Sequence, residues 1–386
     1  MDFTLSKEHE MARKMFREFA ENEVEPIAVE VDEEERFPWE TVPKLARYGM
    51  MGIPIPKKYG GSGGDNLMYC ICIEELAKKC ATTSVIVAAH TSLCMGPIMA
   101  FGTEEQKMKW IPDLASGRKI GAFGLTEPGA GTDASGQQTT AVKDGDEYVI
   151  NGSKCFITNG DTADTYVVFA VTDKTKGLKG ISLFVVEKGT PGFSTGLHEK
   201  KMGIRGSSTT DLIFEDCRVP AANLIGKEGQ GWKICMHTLN GARAGVAAQA
   251  LGIGEGALEL ASKYVQERMQ FKKKLSKFQR TQFEIADMHT KLQAGKWLVY
   301  AAACKEDAYN KGDKTQNYAM DSAMAKLFCG EAASDVTRRC VQLFGGYGYI
   351  REYQVERMMR DAKITEIYEG TSEAQRMVIS GQLGIK

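Results

Sequence analysis

Across residues 6–31, the apolar positions Ala12, Met15, Phe19 and Val24 recur at close to helical spacing with charges between them. This predicts one amphipathic helix, which Pro26 interrupts late. The acidic run 33–35 that follows reads as a solvated face, and the glycine-rich stretch 59–65 as a flexible loop between helices. Near residue 120 the pattern changes. Turn residues become dense, and β-branched and aromatic residues cluster at 148–150, 166–169, 181–186 and 212–214, which predicts strands. Asp144-Gly145 and Asn151-Gly152 are hairpin signals on either side of one strand, favouring antiparallel pairing over a βαβ crossover. After Gly231 the helical period returns, with Ile285, Met288, Leu292, Gly295, Val299 and Ala302 stepping by three and four along one face. No proline follows Pro220, so long helices can run unbroken. Three parts are expected: helical 1–119, β 120–230 and helical 231–386.

At 386 residues the chain is longer than one compact core usually organises and can hold a large cofactor. A formal charge of -1 argues against nucleic acid as a partner. Ten cysteines occur without a CxxC, and Cys70 and Cys72 are too close in sequence to bridge readily, so reduced, mostly buried thiols of a cytoplasmic protein are expected. Residues 1–19 carry charges every few positions, with no signal-peptide core, and no stretch reads as a membrane span. Five scattered histidines without H-E-x-x-H give no metal site.

The most informative chemistry lies at 364–372, Ile-Thr-Glu-Ile-Tyr-Glu-Gly-Thr-Ser. Glu369 follows the bulky pair Ile367 and Tyr368, which can draw its carboxylate into an apolar cleft and make it a stronger base, while Gly370 lets the backbone bend closely around a ligand. Gly129, Gly131 and Ala134 fit a dinucleotide fingerprint by spacing, but Pro128 precedes them and no long helix follows, so that reading is rejected.

Four further segments occur in order: Leu-Thr-Glu-Pro-Gly-Ala-Gly-Thr-Asp at 125–133, Phe-Ile-Thr-Asn-Gly at 156–160, Lys-Met-Gly-Ile-Arg-Gly-Ser-Ser-Thr at 201–209, and Gln-Leu-Phe-Gly-Gly-Tyr-Gly-Tyr at 342–349. With the C-terminal segment, these make essentially the whole chain resemble an acyl-CoA dehydrogenase. Ala-Gln-Ala-Leu-Gly-Ile-Gly at 248–254 is most similar to its short-chain, butyryl-CoA branch. The resemblance implies a mostly α fold with a barrel-like central β domain and a C-terminal four-helix bundle. It also implies FAD, an acyl-CoA substrate, electron-transferring flavoprotein as electron acceptor, and a homotetramer built as a dimer of dimers.

Carried over residue by residue, the resemblance makes Glu369 the base that removes the α-proton while the β-hydride goes to flavin N5. Flavin contacts fall on Phe123, Leu125, Thr126, Gly131 and Thr132, and on Phe156 and Thr158, with Thr158 near N5. Phe156 stands where tryptophan is common and keeps the stacking face without the indole N–H. Arg268, Gln270, Phe271, Gln279, Gln342, Leu343 and Gly346 would reach the cofactor of a neighbouring subunit, and Thr371 and Glu373 its adenosine end. Lys272, Lys273 and Lys274 read as a solvated face. For the substrate, Arg243 and Asn240 would flank CoA, Thr132 and Gly370 line the thioester end, and Tyr368 close the acyl pocket. Asn240 replaces a common aspartate, which weakens any charge-based role. Open alternatives are enoyl-CoA reduction by the same site run in reverse, branched or unsaturated short acyl groups, an oxidase or monooxygenase, and a non-catalytic flavin or CoA scaffold, against which the intact Glu369 argues.

Overall fold

The computed structural model describes residues 4–385. Before the sheet lie α1 (Lys7–Phe19), α2 (Ala28–Glu33), α3 (Val42–Arg47), α4 (Asn66–Lys79), α5 (Ala81–Ala88), α6 (Gly96–Phe101) and α7 (Glu104–Ala115). After it come α8 (Gly231–Glu267), α9 (Gln279–Asn310), α10 (Tyr318–Phe344), α11 (Val355–Ala362) and α12 (Ser372–Gln382). Ser6 caps α1 by accepting from His9 N at 3.3 Å. The single helix expected over 6–31 is broken, because a π turn at Ala20–Val24 and a 3₁₀ turn at Glu25–Ile27 around Pro26 separate α1 from α2. Pro26 has no N–H to continue the ladder. In the loop 59–65, Asp65 ends the irregular stretch by accepting from Met68 N at 2.8 Å at the start of α4.

The strands are β1 (Gly121–Gly124), β2 (Thr140–Asp144), β3 (Glu147–Thr158), β4 (Thr165–Val171), β5 (Ile181–Glu187), β6 (Phe193–Thr195), β7 (Thr209–Pro220) and β8 (Leu224–Ile225), ordered β6-β7-β3-β2-β4-β5-β8, with β1 on β4. Pairing is antiparallel except where β4 meets β1 and, at one residue pair, β2. Asp144-Gly145 forms the expected β2–β3 hairpin. Asn151-Gly152 does not turn the chain. It lies inside β3, where the register against β7 shifts between Ile150 and Gly152, and Asn151 Oδ1 accepts from Asp216 N at 2.8 Å. The dipeptide thus serves a bulge rather than a hairpin, because long β7 continues alongside it. β4 and β5 are apolar without alternation because both of their faces are covered. Tyr166, Val168 and Ala170 join a cluster with Ile150 and Phe214, whereas Val167 and Phe169 pack with Trp110, Leu114 and Ile234 from the helices.

A single core unites the two helical parts, running from Phe16 and Leu76 to Leu251, Leu292, Val299 and Val336. α8 and α4 touch at the backbone: a Cβ on Gly252 would lie 2.3 Å from Glu74 O, and one on Gly256 2.3 Å from Lys78 O. The acidic run 33–35 is not merely solvated. Glu33 pairs with Arg351 at 3.1 Å and Glu35 with Lys200 at 3.0 Å, joining N-terminal helices to both later parts. Ala81–Phe101 is also more apolar than the sequence reading allowed. Its 21 residues, at mean hydropathy 1.6, are long and apolar enough to cross a membrane by length and composition, but 72% of the window is buried within the protein, as a core helix requires. All ten cysteines are free, nine of them buried.

Candidate active site

Glu369 lies between a short 3₁₀ turn at Lys363–Glu366 and α12, in left-handed backbone at φ +54, followed by Gly370 at φ +100. A non-glycine residue in that region is strained and persists only where its surroundings hold it. Here the Gly370 carbonyl accepts from Lys326 Nζ at 2.7 Å and from Gln375 Nε2 at 2.8 Å. Thr371 caps α12 by accepting from Ala374 N at 3.2 Å, and Tyr368 OH donates to Gln249 Oε1. Glu369 Oε2 is shielded from solvent and has no hydrogen-bond partner among the described residues. Burial pushes this carboxyl up to about 7, against the opposing pull of Lys326 and Arg243.

The carboxylate borders a cavity of about 350 Å³. Phe123, Leu125, Thr126, Gly131 and Thr132 line it from β1 and the loop beyond, Phe156 and Thr158 from β3, Arg243 from α8, and Tyr368, Glu369 and Gly370 from the C-terminal loop. Eleven residues singled out in the sequence therefore meet in one place. Phe156 is 63% exposed because the β3 register shifts between Lys154 and Ile157 and its own φ is +59, which turns the ring out of the sheet into the cavity. Such an open aromatic face suits stacking of a planar ring.

Several wall residues were not found from sequence. Trp232, Met236 and Leu239 share one face of α8 with Arg243, which the sequence did single out, a spacing that could have revealed them. Val85, Ala89 and Leu93 belong to an apolar stretch in which every position resembles core. Lys154, fully buried, supports the site from beneath: Nζ donates to Leu125 O at 3.1 Å, Glu127 Oε1 at 2.7 Å and Gln137 Oε1 at 3.1 Å. It thereby ties the loop that follows β1 to the sheet.

Asn240 accepts from Arg243 Nη1 at 2.8 Å, so it orients the guanidinium rather than lining the cavity itself. Arg268, Gln270, Gln342, Leu343 and Gly346 line a second cleft of about 430 Å³ that shares no residue with the first. There the Arg268 guanidinium lies 5.2 Å from the Tyr347 ring centre. Phe271, 88% exposed, sits between β9 (Met269–Gln270) and β10 (Lys273–Lys274), and Gln279 opens α9, also exposed. Lys272, Lys273 and Lys274 are exposed. Glu373 lies exposed in the first turn of α12. A larger cavity of about 760 Å³, between Lys78, Glu255 and Lys296, holds none of the residues matched to flavin or substrate and mixes charged side chains, Lys274 among them, with Leu258, Ile285 and Leu292.

Family descriptions of the acyl-CoA dehydrogenase N-terminal, middle and C-terminal domains match residues 6–118, 122–217 and 229–384. The chain belongs to the acyl-CoA dehydrogenase family. It is 60% identical to the short-chain specific acyl-CoA dehydrogenase of Clostridium acetobutylicum, over 99% of this chain and 100% of that one. It is 52% identical to an acryloyl-CoA reductase (NADH) of Anaerotignum propionicum, over 99% and 96%. The butyryl-CoA dehydrogenase structure from Megasphaera elsdenii superposes with a TM-score of 0.96 at 50% identity, covering 99% of this chain and 100% of that one. A chain in a structure described as the electron-transferring flavoprotein of Acidaminococcus fermentans, concerned with flavin-based electron bifurcation, does so at 0.96 and 52% identity, covering 99% of both.

Proposed function

We propose that this acyl-CoA dehydrogenase oxidises short, straight acyl-CoA thioesters across the α,β bond, converting butyryl-CoA to crotonyl-CoA. The observation that carries the reading is the Glu369 carboxylate at the wall of an apolar cavity, one oxygen shielded and without a partner among the described residues, made more basic by burial. An α-proton next to a thioester is weakly acidic, so its removal needs a base of raised pKa held at the carbon. Glu369 accepts that proton. The surroundings fit FAD: an open Phe156 face, the Thr126, Thr132 and Thr158 hydroxyls around the cavity, and the planar cation of Arg268 beside Gly346 in the second cleft. When bound, FAD supplies the two-electron acceptor for the β-hydride, which leaves the trans-enoyl thioester.

The remaining work belongs to the chain. Arg243, oriented by Asn240, faces the CoA portion, and Tyr368, fixed by Gln249, closes the acyl end. Val85, Ala89 and Leu93 exclude water from the reacting carbons. The second cleft serves the flavin of a neighbouring subunit through Arg268, Gln270, Phe271, Gln279, Gln342, Leu343 and Gly346. Thr371 and Glu373 flank its adenosine end, within a homotetramer arranged as a dimer of dimers. Electrons pass to electron-transferring flavoprotein in the cytoplasm, a reading supported by the A. fermentans likeness. The acryloyl-CoA reductase relative favours a second reading, in which Glu369 returns a proton to the α-carbon of an enoyl-CoA and reduced FAD, when bound, would supply the hydride to the β-carbon.

Anaerobic bleaching of the bound flavin by a panel of acyl-CoA thioesters tests the proposal. Rapid bleaching by butyryl-CoA is expected, and no bleaching by any thioester would overturn it.

A further inference from the structure

Lys326 lies on α10, is 1% exposed, and forms no ion pair within 4 Å among the described residues. Burying an ammonium without a contacting carboxylate is unfavourable, and burial pulls Lys326 down to about 8. Among the described residues its ammonium donates to the Gly370 carbonyl at 2.7 Å, directly after Glu369. Nothing in the sequence singles it out, since Ala-Lys-Leu within a helix reads as an ordinary surface step.

Charges reach Lys326 from several elements. Glu369 on the loop, Glu366 on the preceding turn and Glu373 on α12 favour its charged form, and Arg243 on α8 opposes it. Around Glu369, Lys326 and Arg243 favour the carboxylate, while the buried hydroxyls of Tyr69 and Tyr368 also sense its charge. Arg243 and Lys326 thus approach the base from different helices. Arg243 faces the cavity, whereas Lys326 grips the backbone behind the base.

We propose that Lys326 is a positioning residue for the reaction: from beneath the loop its ammonium ties down the Gly370 carbonyl, fixing the left-handed turn that aims Glu369, and lends the carboxylate a buried positive charge. The inference rests on Glu369 being the base. Gln375 shares the carbonyl at 2.8 Å but carries no charge, so the two anchors divide the work, with both holding the loop and only Lys326 acting on the base electrostatically.

Three holoenzyme variants separate these roles. Lys326→Gln can keep a hydrogen bond to the carbonyl without the charge, Lys326→Met removes both, and Lys326→Arg keeps the charge. The measurements are flavin content from visible absorbance and the pH profile of anaerobic flavin reduction by butyryl-CoA. Lys326→Gln should move the acid limb upward by about one pH unit or more while retaining most of the high-pH rate, because an opposite charge beside a carboxyl lowers its pKa by about that much. Lys326→Met should show the same displacement with a lower plateau, and Lys326→Arg should restore the limb. An acid limb fixed within about 0.3 unit in both uncharged variants would overturn the proposal. So would loss of flavin from both, which would assign Lys326 to the fold alone. Glu369→Gln, run alongside, tests the base itself: if it still reduces flavin rapidly, the assignment of Glu369 fails rather than the tether.

Discussion

Glu369 combines left-handed backbone, an apolar wall and a shielded carboxylate oxygen. Replacing it with glutamine should leave fold and yellow colour intact while slowing flavin reduction by butyryl-CoA at least about a thousandfold, since the amide keeps the shape but cannot accept the proton. Stopped-flow bleaching near the wild-type rate would contradict this. The wild-type pH profile follows from the same group. Only the ionised base accepts a proton, and its carboxyl is pushed up to about 7, so kcat/KM should fall about tenfold per unit below that pH and level off above it. A profile breaking near pH 4.5 would mean that the base is not buried. Glu369 drew notice as an acid beside a flexible glycine, but it was the resemblance of five ordered segments to the acyl-CoA dehydrogenases that singled it out. Lys154 and Lys326 were not singled out, because a buried lysine and a solvated one look alike in sequence, and only the packing distinguishes them.

Strands and helices were legible where a local pattern marked them, whether one face was covered or both. The regular steps of α9 marked its buried face, and the dense β-branched runs marked β3, β4, β5 and β7. The break between α1 and α2 and the bulge at Asn151-Gly152 escaped because both depend on what the neighbouring segment does. That neighbourhood also gives the Lys154–Glu127 pair its weight. Lys154→Met leaves Glu127 buried without its cation and should cost about 3–5 kcal/mol in chemical denaturation. It should also weaken FAD binding, because the loop carrying Thr126 and Thr132 is released. Adding Glu127→Gln should recover part of the loss, since no charge then remains unpaired. Equal stability of single variant and wild type would show the pair to be dispensable. In the second cleft, Arg268→Ala should lose flavin and weaken the assembly together, as expected if one subunit holds the pyrophosphate of another. A variant that is monomeric yet fully flavinylated on size exclusion would exclude the cross-subunit arrangement.

At the scale of the molecule, the proposed acyl pocket is closed by Tyr368, whose hydroxyl donates to Gln249. Butyryl-CoA should therefore exceed octanoyl-CoA in kcat/KM by tenfold or more, because an unfitted methylene costs strain where a fitted one contributes up to roughly 1 kcal/mol. The series butyryl, hexanoyl, octanoyl and isobutyryl, with an artificial electron acceptor, checks this, and a maximum at octanoyl would refute it. The three-part order of helices, sheet and helices could be read along the chain. What could not was that the outer parts form one core, since a contact between Leu76 and the helices after residue 231 leaves no local mark. That shared core orders events during synthesis. When the ribosome has released α1 to α7 and the sheet, the apolar faces of α4 still lack α8, α9 and α10, and the first hundred residues wait for the last hundred and fifty. Stalled nascent chains ending before α8 should accordingly be cut by protease within α4, and those extending beyond α10 should resist, so that translation finishes the N-terminal helices last.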